Sequence, residues 1–341
     1  MPPIFLSKPQ QFDELVLQKY EDFVFDLDGV IWTGPGGNTL TPHVKETLEY
    51  LRSIGKRLAF VTNNATRSRK QYLEKFHSLG LTHVVLDEIF TCGSASASHL
   101  REVILPEIEK EGGPTGIYLI GQASMEEELR EEGLAWRGGT DPEDDVLLPP
   151  QDFSSIMPDP EIGVVLFTFQ MRINYKQLAK AFNYLNFNPD CRLVLTNDDF
   201  SMSIPGGGSI PGEGAIASVL LNARKNLQPL IVGKPHQPLL DVVHRALKFD
   251  PTKTIFVGDR LETDVLFGKR GGLDTLLVWT GNSKPHDLVG LGDHEEPTFI
   301  ADSVGELLKG VPKEKAAPRV KVPGEVREEV RQARGEVEVR A

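Results

Sequence analysis

Asp26 and Asp28 stand two residues apart in FVFDLDGVIW, directly after the apolar run Phe23, Val24, Phe25. Such a run reads as a strand covered on both faces, and a carboxylate at its end costs desolvation unless something positive meets it. Other apolar runs end in the same manner. Thr62, Asn63 and Asn64 follow RLAFV, Gly233 and Lys234 follow LIV, and Asp259 with Asp264 follow TIFVG. Carboxylates, one lysine, and hydroxyl and amide donors are the parts needed to hold a hard cation against an anionic substrate.

Singly, each cluster has a plainer explanation. An Asp-x-Asp pair is common in loops and caps, TNN can be a turn, GKP a strand end, and GDRLETD an acidic first helical turn. DLDG begins like a calcium loop, but that loop would need oxygen ligands where Val30 and Gly37 stand. The glycine-rich IPGGGSIPGEGA lacks the G-x-x-x-x-G-K-[ST] pattern and reads as a flexible return between elements. His236 reads as the start of a helix, and the eight histidines show no ligand spacing, which disfavours zinc. Tyr72, Phe76 and Leu79 recur at helical spacing and read as core.

The elements that position the clusters alternate between apolar runs and amphipathic stretches. Thr41 and Pro42 look like an N-cap and first helical residue before Val44, Leu48 and Leu51. Arg57 to Val61 reads as a strand, and a helix from about Ser68 closes at Gly80. The alternation resumes with LIVGKP, a helix carrying Leu239, Leu240, Val243 and Leu247, then TIFVGD, a helix near Thr263 to Lys269, and LDTLLVWTG. Both ends of the chain therefore predict one parallel sheet, a Rossmann-like doubly wound α/β core with every cluster at a strand carboxyl end, where open sheets bind ligands.

Residues 65–233 number 169, far more than a crossover requires. They repeat the pattern in GIYLIG, IGVVLFTF, a helix over Tyr175 to Leu185, and RLVLTN, which predicts an inserted α/β cap domain. The expected division is a core over 1–93 and 230–310, a cap over 94–229, and a mobile, disordered tail over 311–341 with mixed charge and no aromatic residue. TGPGGN after Trp32 reads as a longer hairpin turn.

Composition limits what the site can serve. The 40% hydrophobic and 25% charged residues of this 341-residue chain are those of a soluble globular protein, and no apolar run approaches the ~18 residues of a membrane span. MPPIFLSKPQQFDEL lacks a basic region followed by an apolar core, so a cytoplasmic location is expected. Cys92 and Cys191 lack paired spacing, which argues against a disulfide framework or a thiolate metal site. A net charge of -12 without a basic stripe argues against nucleic acid, so an anionic substrate needs a local positive field.

Taken in order, DLDGV, VTNN, Lys234 and GDRLETD resemble the four motifs of the haloacid dehalogenase superfamily of phosphatases. Within it, DGVIW, TNNATRSR, TNDD, PGEGA, VGKP and VGDRLETD are similar to the phosphoglycolate phosphatase and 4-nitrophenylphosphatase group, which includes pyridoxal phosphate phosphatases, over about Phe23 to Gly281. The resemblance implies hydrolysis of small phosphomonoesters with Mg2+ as cofactor. A phosphomonoester dianion resists an anionic nucleophile, so both partners must be neutralised. Asp26 is implied as nucleophile forming an aspartyl phosphate, and Asp28 as acid and then base. Asp26, Asp259 and the main-chain carbonyl of Asp28 are implied as magnesium ligands. Thr62 and Asn63 would donate to phosphoryl oxygens and Lys234 would add a point charge, while Asp264 would orient Lys234 or the metal's waters. Asn64 joins the substrate-binding set, although for it and Arg260 a structural hydrogen bond or surface ion pair is an equal explanation.

The insert lies between Asn64 and Lys234, where the resembling proteins place large α/β caps, and not between the first two motifs, so a mutase is not expected. The resemblance further implies a homodimer through the cap, with VVLFTF as a candidate face. The loop over Asp198 to Pro205 should select the leaving group, and it holds no histidine to meet a pyridine ring. Small phosphorylated carboxylates would need a cation, with Arg137, Arg172 and Arg192 as candidates in the cap. 2-Phosphoglycolate is therefore the favoured substrate, with pyridoxal phosphate or a broad range of metabolites as alternatives. A receiver-like binding module would need no cap, and a catalytically silent magnesium-binding scaffold would not need Asp26, Asp28, Lys234 and Asp259 all present.

Overall fold

Seven parallel strands form the larger sheet, in the order Ile4–Phe5, Phe299–Ala301, Asp274–Val278, Thr254–Gly258, Asp22–Phe25, Arg57–Thr62, Ile89–Thr91. The computed structural model describes residues 2–33, 37–151, 153–204, 208–292 and 294–311. From Asp22–Phe25 the chain builds outward in one direction early and in the other direction late, so strand order reverses beside it. That switch point opens a crevice at the strand carboxyl ends. Register aligns its walls, for Phe25 pairs with both Val257 and Phe60.

The central strand is apolar throughout because both of its faces are covered. Phe23 and Phe25 pack with Phe60, Trp32 and Phe76, while Val24 packs with Val61 and Phe256 on the opposite face. Phe60 is fully buried, 5.9 Å from the ring of Phe25 and 4.8 Å from that of Phe76, so truncation to alanine would cost ~3–5 kcal/mol. The helix Arg69–Ser78 starts as expected at Ser68, whose hydroxyl accepts from Gln71 N–H while Gln71 reaches back, and Gly80 follows its end at φ +82°.

Five parallel strands form the smaller sheet, in the order Leu230–Ile231, Arg192–Leu195, Ile162–Phe167, Gly116–Ile120, Arg137–Gly138. One apolar cluster runs without a break from Val24 and Phe256 through Ala95 and Leu100 of the intervening helices to Leu119 and Val164 of this sheet. The LIVGKP strand was expected in the larger sheet, but Leu230 and Ile231 pair with Val194 and Leu195 in the smaller one. VVLFTF is buried from Val164 to Phe169, in and just after the central strand, so it presents no exposed face to a partner.

Two local expectations also change. Thr41 is not the N-cap, because the helix is Val44–Ser53 behind a left-handed His43, and Thr41 instead donates to Val30 O at 2.7 Å. The described residues of the glycine-rich stretch take regular structure, and residues 205–207 lie outside the described residues. Ser201–Ser203 pairs antiparallel with Ser209–Pro211, and Gly212 then caps the helix Glu213–Ala223. As expected, Trp32–Thr33 and Thr39–Leu40 pair as a hairpin around TGPGGN, whose residues 34–36 lie outside the described residues, as do residues 312–341 of the expected tail over 311–341. His236 does begin a helix, Gln237–Leu247.

Candidate active site

Asp26 leaves its strand with its N–H still donating to Val257 O at 2.8 Å, which fixes its carboxylate over the crevice. Lys234 arrives from the smaller sheet and places its ammonium 2.5 Å from Asp26 Oδ1 and 2.7 Å from Asp264 Oδ1. Asp264 turns its other oxygen to the N–H groups of Asp259 and Arg260 at 3.0 and 3.1 Å. Asp259 Oδ2 accepts from the N–H and side-chain amide of Asn282. All four ionisable groups are buried.

The electrostatics of this cluster are unbalanced. One carboxylate oxygen each of Asp26, Asp259 and Asp264 lie within 4.8 Å of one another, against a single ammonium. Burial first, then Asp264 and Asp259, hold the Asp26 carboxyl well above the usual range although Lys234 opposes them. Burial and the Asp264 charge raise Asp259 to about 6 against the Asn282 donors. Burial works against the Lys234 charge, yet Asp26 and Asp264 outweigh it and hold the ammonium above its ordinary value. Two surplus negative charges among hard oxygen donors fit a divalent cation. Two glycines make room beside Asp259. A Cβ at Gly29, which has φ +100°, would meet Asp259 Cγ at 2.6 Å, and one at Gly281 would overlap the carboxylate itself.

Asp28 stands apart from that cluster. Its Oδ1 accepts from the indole N–H of Trp32 at 2.7 Å and its Oδ2 from Asn64 Nδ2 at 3.1 Å. Asn64 is in turn held by Thr66, whose N–H and hydroxyl donate to Oδ1 at 3.0 and 2.6 Å. The Asn63 side chain is committed elsewhere, accepting from Lys234 N–H at 2.7 Å and donating to Lys234 O at 2.9 Å. It therefore positions Lys234, and Asn63 also lines the cavity. Thr62 Oγ1 accepts from Asn64 N–H at 3.0 Å and faces the cavity.

A cavity of about 510 Å3 lies over these residues. The insert roofs it with Ser201, Met202 and Ile204 of the separate two-stranded hairpin and with Phe169, which follows the central strand of the smaller sheet. Asn197 bolts the two parts together, donating to Asn63 O at 3.1 Å and to Glu213 Oε2 at 3.0 Å. The aspartates of TNDD both meet core side chains, Asp198 the ring of His236 at 3.1 Å and Asp199 the guanidinium of Arg260 at 3.5 Å.

Sequence and structure matches place this assembly. Residues 23–135 match a family model described as haloacid dehalogenase-like hydrolase, and residues 231–307 match a second, HAD-hydrolase-like one. A 4-nitrophenylphosphatase of Schizosaccharomyces pombe is 36% identical over 305 residues, covering 89% of this chain and 98% of that protein. The chain belongs to the haloacid dehalogenase-like hydrolases. Phosphoglycolate phosphatase 2 of Arabidopsis thaliana is 35% identical over 85% of this chain and 92% of its own length. Among solved structures, a p-nitrophenyl phosphatase from Archaeoglobus fulgidus superposes with a TM-score of 0.68 at 26% identity, over 86% of this chain and all of the other.

In this haloacid dehalogenase-like hydrolase the cap arginines considered as anion receptors are engaged elsewhere. Arg137 pairs with Asp159 and Glu161, Arg172 with Asp145 at 2.5 Å, and Arg192 with Glu107 at 2.6 Å, and none lines the cavity. The cavity's cations are Arg67, Lys75, Lys234 and Arg260. Arg67 and Lys75 escaped sequence reasoning, the latter because Tyr72 and Phe76 mark its helix as core. Trp32, Asn282 and Glu213, which hold Asp28, Asp259 and Asn197, carry no spacing signal.

Proposed function

We propose that this phosphomonoester hydrolase acts through an aspartyl phosphate on Asp26, depends on Mg2+, and takes 2-phosphoglycolate and similar small phosphorylated carboxylates. The observation that carries the reading is the setting of Asp26: one oxygen is held by Lys234, inside an acidic cluster that lacks two positive charges. Asp26, Asp259 and the Asp28 carbonyl would hold magnesium, which when bound neutralises the nucleophile and the phosphoryl oxygens together.

The steps follow from the chain's own groups. An Asp26 oxygen attacks phosphorus, the bond from phosphorus to the leaving oxygen breaks, and Asp28 gives its proton to that oxygen. Asp28 then takes a proton from a water whose oxygen attacks the aspartyl phosphate, releasing inorganic phosphate and regenerating Asp26. Asn64 and Trp32 aim Asp28, Asp264 aims Lys234, and Thr62 offers its hydroxyl to the phosphoryl group. The hairpin roof of Ser201, Met202 and Ile204, without a histidine among Asp198 to Ile204, favours a small, non-aromatic leaving group.

The smaller sheet and its helices serve as the cap, and exposed Leu147, Phe153, Met157, Met171 and Tyr175 supply apolar surface for a homodimer through it. No helix among the described residues is long and apolar enough to cross a membrane, and both cysteines are free thiols, in keeping with a cytoplasmic site of action. The testing experiment is turnover of 2-phosphoglycolate by Asp26→Asn with and without Mg2+. Folded Asp26→Asn should lose several orders of magnitude, and chelation should silence the wild type until Mg2+ is returned. Substantial turnover by the variant would remove the covalent step.

A further inference from the structure

Two cations at the cavity mouth have no part in the steps above. Arg67 lies in the loop after Asn64 and Lys75 in the helix Arg69–Ser78, so both belong to the core and not to the cap. Both also line an adjoining cavity of about 680 Å3, and the two spaces meet at these side chains. The Lys75 ammonium lies 3.8 Å from the centre of the Trp32 ring, and the N–H of that same indole donates to Asp28 Oδ1. One aromatic side chain therefore separates Lys75 from the carboxylate that faces the leaving group.

Charge and solvation suit this corner to an anion. Burial brings the Lys75 ammonium down to about 8, with Asp28 opposing and Arg67 adding, so it is still charged at neutral pH but poorly hydrated. A poorly hydrated cation gains more from an anion than a fully solvated one does, because less water must be stripped away. On a phosphorylated hydroxy acid the carboxylate sits two single bonds beyond the leaving oxygen. Asp28, Trp32, Arg67 and Lys75 line one cavity, so a leaving group seated at Asp28 has Lys75 and Arg67 among the cations that can meet its carboxylate.

We propose that Lys75 and Arg67 are specificity-determining residues that receive a carboxylate carried by the leaving group. The inference rests on the reading of the protein as a phosphatase of small phosphorylated carboxylates and names the side chains responsible. It places anion selection on the core, beside the acid–base residue, and leaves the cap hairpin to limit size.

The test compares kcat/KM for 2-phosphoglycolate with that for 2-hydroxyethyl phosphate, whose leaving group is also an alkoxide but carries no carboxylate. The ratio should fall at least tenfold in Lys75→Met and in Arg67→Met, further in the double variant, chiefly through KM for 2-phosphoglycolate. Lys75→Arg should keep most of the ratio, and thermal melting should report folded variants. An unchanged ratio, or equal losses on both esters, overturns the inference; Arg67 is exposed, so its replacement decides the matter even if Lys75→Met fails to fold. The wild-type substrate ranking is a separate readout. If another carboxylate-bearing ester leads, the choice of 2-phosphoglycolate fails and the inference stands, whereas a wild type indifferent to the carboxylate overturns both.

Discussion

The side chain of Asn63 holds both main-chain polar groups of Lys234, taking its N–H at 2.7 Å and donating to its carbonyl at 2.9 Å across 171 positions of sequence. The segment that leaves the smaller sheet is thereby pinned to the end of Arg57–Thr62, with the Lys234 ammonium against Asp26. Asn63→Ala leaves two buried main-chain groups without that partner, a loss of ~1–3 kcal/mol in stability. It also frees the lysine, so kcat should fall by about tenfold to a hundredfold with little change in KM. Steady-state kinetics beside a denaturation curve read both, and an unchanged kcat would show that Lys234 needs no such clamp.

Asp259 fills its place because Gly29 and Gly281 have no side chains. Gly281→Ala puts a Cβ into the Asp259 carboxylate, which must swing away from the Asn282 donors. The magnesium concentration for half-maximal activity should rise at least about tenfold, as for disturbed metal ligands generally. Titration calorimetry with Mg2+ alone should show the same weakening. Normal magnesium affinity in a folded Gly281→Ala protein would remove Asp259 from the ligand set.

Glu213 gives the roof a pH dependence. Its Oε2 accepts from the Thr196 hydroxyl at 2.5 Å and Asn197 Nδ2 at 3.0 Å, and its Oε1 from Asn197 N–H at 3.0 Å. Burial pushes this carboxyl from 4.5 up to about 8 despite those donors. The folded protein thus keeps a proton that the unfolded chain gives up. The stability from this group is full below 4.5 and is lost as pH rises to about 8. The loss is on the order of a few kcal/mol. The melting temperature should fall as pH rises from 4.5 to about 8 and level off above that, and Glu213→Gln, though less stable at the outset, should flatten that slope.

The strands and their terminal clusters were readable because a strand buried on both faces leaves a continuous apolar run, and a charge at its end then stands out. Asp26, Lys234, Asp259 and Asp264 lie together as that pattern implied. Which sheet a run joins is not written in the run. Leu230–Ile231 is as apolar as a strand of the larger sheet would be, and only its pairing with Val194 and Leu195 assigns it. Arginines announce a charge but not a partner, so Arg137, Arg172 and Arg192 could be named as cations while the carboxylates that hold them could not. Lys75 was hidden the other way round. A lysine on a core-facing helix reads as a solvated stem, whereas its ammonium is tucked against Trp32.

Trp32 offers the sharpest separation of acid catalysis from binding. Its indole N–H donates to Asp28 Oδ1 at 2.7 Å, while its ring packs against Phe76 at 5.0 Å and stacks with Tyr72 at 6.1 Å. Trp32→Phe keeps an aromatic ring in the core and deletes the donor, leaving Asn64 as the other group aiming Asp28. An alkoxide leaving group needs a proton from a well-aimed acid, whereas 4-nitrophenolate departs with little help. The variant should therefore lose roughly tenfold or more in kcat/KM on 2-phosphoglycolate and 2-hydroxyethyl phosphate alike, and much less on 4-nitrophenyl phosphate. Replacement of Lys75 or Arg67 should instead separate the two alkyl esters from each other. Equal losses on alkyl and aryl esters in Trp32→Phe would mean that the indole holds the fold of the hairpin and not the direction of the acid.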